Sequence, residues 1–262
     1  MKLSQILSLS LIFSYNLYSQ SKAIVPTKGT IAFEKSEKIT DSLLYKKSIS
    51  ELNIKMKDAL KKTVLKEREE MGELADSTLI DEIINMEGII SFEDFLFQKK
   101  DKLTFNHEYN NKEISYYVTI DEKILNSFKT INITNIKETI DKKNSSQIAT
   151  EDFGDSPFLY SKIEILNISE FPKLIRKIEG YNCFKVILTY KSNENKSDFD
   201  FFINDYKQYK ELWVTKEIKT PFHPVVKEKE LLEKYYPLEI IEYSDEIKGM
   251  KTIYTLKKLS LQ

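Results

Sequence analysis

One cysteine, two histidines and two arginines are all that this 262-residue chain offers of the residues from which many catalytic and nucleic-acid sites are built. With Cys183 alone, an internal disulfide is excluded. A buried thiol or an intermolecular bridge remains, and burial is the expectation because free cysteine behaves as a small hydrophobe. His107 and His223 are too few for a multi-histidine zinc site, and no second cysteine completes a mixed one. Arg68 and Arg176 supply few of the rigid forks that grip phosphates and base edges. Forty basic residues face 41 acidic ones, so there is no bulk positive footprint for nucleic acid. Gly-x-Ser-x-Gly, His-Glu-x-x-His and a phosphate loop are all missing. The expectation is a protein that is not an enzyme, without catalytic residues, metal or cofactor.

What is present is globular. Apolar residues make up 41% and aromatics 12%, enough to exclude wholesale disorder. A chain of this length buries roughly 70–75% of its unfolded surface without needing a metal or disulfide. Lys2 precedes a short apolar stretch, Leu3 to Phe13, diluted by serines, and the small Ser19 follows. This is the pattern of a secretory signal peptide over residues 1–19. No cysteine follows it, so a lipobox is absent, and no later stretch is apolar enough to span a bilayer. The expected address is the periplasm or the exterior.

Hydrophobic periodicity then divides the chain. Lys28 to Glu34 alternates after a glycine and predicts a first strand. Ile49, Leu52, Met56, Leu60 and Val64 recur at three or four residues, a narrow amphipathic stripe. After a break near Gly72, a second helix is predicted through Leu79 and Ile84, so residues 41–86 read as a helical insertion. Gly88–Phe97, Lys102–His107 and Glu113–Ile120 read as an antiparallel meander. Residues 137–155 read as a polar loop. Strands follow at Phe158–Leu166, Leu174–Ile178, Tyr181–Tyr190 and Tyr206–Ile218, then a short helix at Val226–Tyr235. Pro237–Tyr243 and Lys251–Leu259 form a closing pair. On the strand after Gly180, Phe184, Val186, Leu188 and Tyr190 share one face, apolar, and Cys183, Lys185, Ile187 and Thr189 share the other. A sheet apolar on one side needs a cover, and the helices of 41–86 are the expected one.

Partial motifs carry little. Asp152-Phe153-Gly154 lacks every other kinase element. The oxygen-rich stretch from Asn193 to Asp200 lacks the spacing of a calcium loop and reads as a turn. Glu67, Glu69 and Glu70 beside Lys66 and Arg68 read as a solvated helix face.

A resemblance emerges from Ile178-Glu179-Gly180-Tyr181-Asn182-Cys183, from Glu211-Leu212-Trp213-Val214-Thr215-Lys216-Glu217-Ile218, and from Pro237-Leu238-Glu239-Ile240 with the closing strand to Leu259. This order is similar to the secreted GLPGLI-type proteins of Bacteroidetes, within the broader LolA-like group of envelope proteins. It covers residues 28–35 and 174–259, with Tyr236 to Ile240 standing at about the place of the GLPGLI string. The resemblance implies an α+β fold over residues 24–262: a curved antiparallel sheet, a half-barrel, with helices over its concave side. It also implies a protein that holds an apolar ligand, a lipid or lipidated peptide, lined here by Phe184, Val186, Leu188, Tyr190, Trp213 and Tyr254. The alternatives are an envelope interaction module without a small ligand and, third, an enzyme of unrecognised type.

Overall fold

Alternation of apolar and polar residues builds most of this molecule, because successive strand side chains point to opposite faces. The computed structural model describes residues 23–70, 102–124, 129–132, 158, 160–161, 163–192 and 206–262. The expected leader, second helix, strand at 88–97, loop at 137–155 and turn at 193–200 lie outside the described residues. Ten strands form one antiparallel, open, curved sheet. They are β1 (Lys28–Ile39), β2 (Leu103–Asn110), β3 (Glu113–Ile120), β4 (Lys123–Ile124), β5 (Lys129–Asn132), β6 (Ile163–Ile178), β7 (Tyr181–Ser192), β8 (Gln208–Thr215), β9 (Tyr236–Ser244) and β10 (Met250–Leu261). Two helices are described, α1 (Ser42–Glu70) and α2 (Lys229–Leu232). The strand order is β4-β3-β2-β1-β10-β9-β8-β7-β6, with β5 also on β3. The first and last strands therefore meet in the middle of the sheet and join an N-terminal wing to a C-terminal meander.

The hairpins have local causes. Asp121 and Glu122 between β3 and β4, and Glu179 and Gly180 between β6 and β7, have positive φ, as a tight two-residue hairpin turn requires. The expected strands at 158–166 and 174–178 are joined in one long strand, β6, which begins only at Ile163, with Phe158 in a turn before it. It keeps its pairing to β7 across irregularities at Ile165/Asn167 and Phe171/Ile175.

Register places Phe184, Val186 and Leu188 beside Val214, Leu212 and Lys210, and then Leu212 beside Ile240. The same face continues through Tyr254 of β10, Ile31 and Phe33 of β1, and His107 and Tyr109 of β2. This is the core face. It has two halves. In one, Ile31, Phe33, Val186, Leu188, Leu212, Val214 and Ile240 are fully buried. Each such side chain, withdrawn from water, stabilises the fold by roughly 1.5–3 kcal/mol. In the other half, toward the β9–β10 turn, Phe105, Val118, Ile163, Ile165 and Tyr254 are only half-buried.

The cover of the buried half is not the long helix. It is the segment between β8 and β9, which contributes Ile218, Phe222, Val226, Leu231, Leu232 and Tyr235 to the core. Prolines 221 and 224 prevent regular structure until the single turn of α2, whose buried Leu231 and Leu232 form its inward side. Helix α1 docks elsewhere, at the β9–β10 turn. Asp41 caps it, its carboxylate accepting from the Leu43 and Leu44 amides at 3.0 Å each. Ile49 and Leu52 of the expected stripe are buried, with Tyr45 one turn earlier, whereas Leu43 and Ile54 face solvent. Ser48 Oγ accepts from the Lys248 amide at 3.2 Å, and the Gly249 carbonyl accepts from Thr40 N at 2.7 Å.

Gly249 is the pivot of that docking. Its φ is +80°, and a Cβ there would lie 2.3 Å from the Asp41 carbonyl oxygen and 2.8 Å from the Tyr45 nitrogen. Backbone strain and a rigid clash then act together. Gly249→Ala is expected to destabilise the protein by about 2 kcal/mol or more, read as a lower urea midpoint. An unchanged midpoint would show that the helix is not held at this turn.

Candidate functional site

Strand β8 contains a contradiction that organises the site. Its alternation puts Lys210 in phase with Leu212 and Val214, on the core face, where it is 7% exposed. An unpaired ammonium there would cost several kcal/mol. Two carboxylates meet it. Glu228, from the cover segment and 1% exposed, lies 2.7 Å from Lys210 Nζ. Glu242, opposite Lys210 on β9, lies 3.2 Å away. Glu228 also accepts from the Lys227 amide at 3.2 Å. The ring of Tyr190 stands 5.4 Å from Lys210 Nζ. Burial pulls the ammonium toward neutrality, but the two carboxylates outweigh it and hold Lys210 above its ordinary range. Burial pushes Tyr190 up to about 12 and Tyr254 higher still, with Glu242 adding to the latter, so both hydroxyls stay protonated.

This ion cluster stands at the border between the two halves of the core face. Beyond it, a cavity of ≈ 240 Å³ is lined by Tyr190, Gln208, Glu242, Ile247, Met250 and Thr252. A second cavity of ≈ 240 Å³ lies between the first half of α1 and the turn, lined by Leu44, Ser48, Leu52, Lys55, Tyr206 and Glu246 among others. Glu246 lines both. Burial raises its carboxyl above the usual range, and Lys55 opposes the shift. Lys55 in turn donates to the Tyr206 hydroxyl. The open half thus joins half-buried apolar and aromatic side chains to a cavity whose lining is mixed, with Gln208, Glu242, Ser244, Glu246 and Thr252 among it, and α1 packs at the same turn.

The histidines belong to the closed half. Nδ1 of His223 accepts from the amides of Val225 at 3.0 Å and Val226 at 2.9 Å. Its Nε2 faces the Pro237 carbonyl at 3.0 Å. Two donors at Nδ1 fix the neutral tautomer with the proton on Nε2. The ring therefore clamps the cover segment to the start of β9. Burial, and then Lys210, hold it down at about 3 against the Pro237 hydrogen bond. His107 is fully buried, stacked on Phe158 at 5.6 Å between centroids and edge-on to Tyr116. Among the described residues neither of its ring nitrogens has a hydrogen-bond partner. Burial and then His223 keep it neutral. Among the described residues, neither ring lines either of the two cavities above. Among the described residues, no three His, Cys, Asp or Glu side chains are grouped to hold a metal.

The six lining residues expected from sequence separate into four places. Tyr190 lines the cavity and Tyr254 stands half-buried in the open half. Val186 and Leu188 are fully buried under the cover segment, so nothing reaches them without displacing it. Phe184 lies toward the other end, edge-on to Tyr235 at 5.3 Å. Trp213 is a correction: it pairs with Lys185 and Glu239 on the outer face, under the guanidinium of Arg176 at 4.0 Å. A two-residue period explains it, since Trp213 lies between Leu212 and Val214. Cys183 is a buried free thiol, raised to about 11 mainly by burial. Lys210, Glu228 and Glu242 were not singled out from sequence. The readable signal was a lysine in the apolar phase of β8.

No family model and no curated protein matches the chain. A solved structure found to be similar is the Mycobacterium tuberculosis lipoprotein LppX, with a TM-score of 0.22 and 8% identity, covering 62% of this chain and 73% of that one. The architecture rests on the strand order and registers described above. Among the described residues, no helix is long and apolar enough to cross a membrane.

Two outcomes test this geometry. Lys210→Met leaves two carboxylates without their cation and is expected to destabilise by about 3–5 kcal/mol. Adding Glu228→Gln should recover part of the loss in urea unfolding, and additive losses would contradict the pairing. The histidines set a pH dependence. Their folded values lie below the unfolded value of about 6.5, so the unfolded chain binds protons first as pH falls. Stability is complete above about pH 6.5 and declines below it, down to about 3 for His223, by up to about 1.4 kcal/mol per pH unit per histidine. A urea midpoint that is the same at pH 7.5 and pH 5 would contradict burial of neutral rings.

Proposed function

We propose that this chain is a non-enzymatic protein of the bacterial envelope, periplasmic or secreted, that holds an apolar ligand in the open half of its core face. The observation that carries the reading is the division of that face. The cover segment buries one half, while Phe105, Val118, Ile165 and Tyr254 remain half-buried in the other, where a cavity of ≈ 240 Å³ opens at Tyr190 and Glu242. An apolar surface left half-buried beside a fully buried one favours an occupant, at about 25 cal/mol for each Å² removed from water. Helix α1 flanks this half, held at the β9–β10 turn by Ser48 and Gly249. The ligand class is a lipid or lipidated peptide, as the GLPGLI-type and LolA-like resemblance implies. The leader at 1–19 supplies the route out of the cytoplasm.

The test uses mature protein made in a Gram-negative periplasm, purified without detergent, extracted with organic solvent and analysed by mass spectrometry. A stoichiometric acyl species is expected. The emptied protein should bind the fluorescent probe N-phenyl-1-naphthylamine at one site, about tenfold more weakly after Tyr254→Lys, with Trp213→Ala unchanged. A stable protein that carries no acyl species and binds no probe would contradict the reading.

A further inference from the structure

Strand β6 is a sheet edge among the described residues, and its middle does not behave like one. Between Phe171, opposite Lys185, and Ile175, opposite Phe184, three residues leave the ladder. Pro172 has no amide hydrogen to offer an incoming strand. At this bulge four of five successive residues, Phe171, Pro172, Leu174 and Ile175, are apolar and stand in water: Ile175 is 67% exposed, Leu174 50% and Phe171 38%. They form the largest run of exposed apolar residues on the described strands.

The rim is basic. Lys173 and Lys177 are exposed and have no carboxylate partner among the described ion pairs. Lys216 lies 5.4 Å from the ring of Phe184, the residue opposite Ile175 on the ladder, and 5.6 Å from the Tyr235 ring. One carboxylate borders the patch, Glu170, which accepts from the Tyr235 hydroxyl, against the three lysines. An apolar ridge with a lysine rim suits one kind of partner. A strand-adding protein needs an unbroken row of amides and carbonyls, which the bulge destroys. A fluid hydrocarbon layer needs no register, and lysine stems reach back to anionic headgroups while apolar side chains enter.

We propose that the β6 bulge, Phe171 to Ile175 with Lys173, Lys177 and Lys216, docks this protein on an anionic lipid surface. This surface is separate from the open half of the core face, so it stands or falls independently of the apolar-ligand reading. The experiment is flotation of the mature protein with vesicles of phosphatidylethanolamine and phosphatidylglycerol, and with phosphatidylcholine vesicles. The protein is expected to float with the anionic vesicles at least tenfold more than with the neutral ones, and to be released by 0.5 M NaCl. Leu174→Asp with Ile175→Asp should abolish flotation, and Lys173→Glu with Lys177→Glu should reduce it at least fivefold. Both variants alter exposed side chains, and an unchanged Tm and unchanged N-phenyl-1-naphthylamine binding establish that fold and ligand site are intact. Absent flotation, flotation unaffected by both variants, or a wild-type dimer that the ridge variants dissolve in sedimentation would each overturn the proposal. The last would assign the ridge to a second copy of the chain.

Discussion

The contact between Lys210 and Glu228 is the constraint on which the site depends. One member sits on the sheet and the other on the segment that covers it, 2.7 Å apart and both nearly free of solvent. Breaking such a pair leaves a buried charge, so the cover cannot lift at this point without a large penalty. The contact therefore fixes where the closed half of the core face ends. His223 acts in the same direction a few residues earlier, tying Val225 and Val226 to Pro237 through one neutral ring. Ion pair and imidazole together make the irregular, proline-broken stretch before α2 as well placed as a strand.

The pairing of β1 with β10 has a different consequence. It runs from Gly29 opposite Leu261 to Ile39 opposite Met250, joining the first described strand to the last. A Cβ at Gly29 would fall 1.7 Å from the Ser260 carbonyl oxygen, so the seam closes only around a glycine. The same strands deliver α1 to the β9–β10 turn. The helix is thereby attached to the seam of the sheet rather than laid across its buried face. That arrangement leaves the neighbouring half of the core face open.

Period-two patterning made most of the sheet legible. The strands at Tyr181 to Tyr190, Pro237 to Tyr243 and Lys251 to Leu259 lie where alternation puts them, and Phe184, Val186, Leu188 and Tyr190 share the core face. The same rule, followed through β8, separates Trp213 from that face, and its aromatic bulk misled where its phase did not. The role of the cover was hidden for another reason. Residues 216–228 have no period, because prolines and single hydrogen bonds shape them. Their partner, Lys210, is visible only as a charge in an apolar phase. Amphipathic α1 looked like the natural cover, yet the buried ones among its described side chains, Tyr45, Ser48, Ile49 and Leu52, lie in its first half, at the β9–β10 turn. A stripe establishes that a helix has a buried side without saying which surface buries it.

The central claim is that one half of the core face is filled by protein and the other by an apolar guest. The most direct measurement is a high-resolution crystal structure of protein purified without detergent from a bacterial periplasm. The account predicts continuous elongated density beside Tyr190 and Tyr254, ending at the Lys210–Glu242 pair, with Leu231 and Leu232 still seated on the sheet. Side chains of the protein itself filling that space, or a guest lodged beneath the cover segment against Val186 and Leu188, would contradict it.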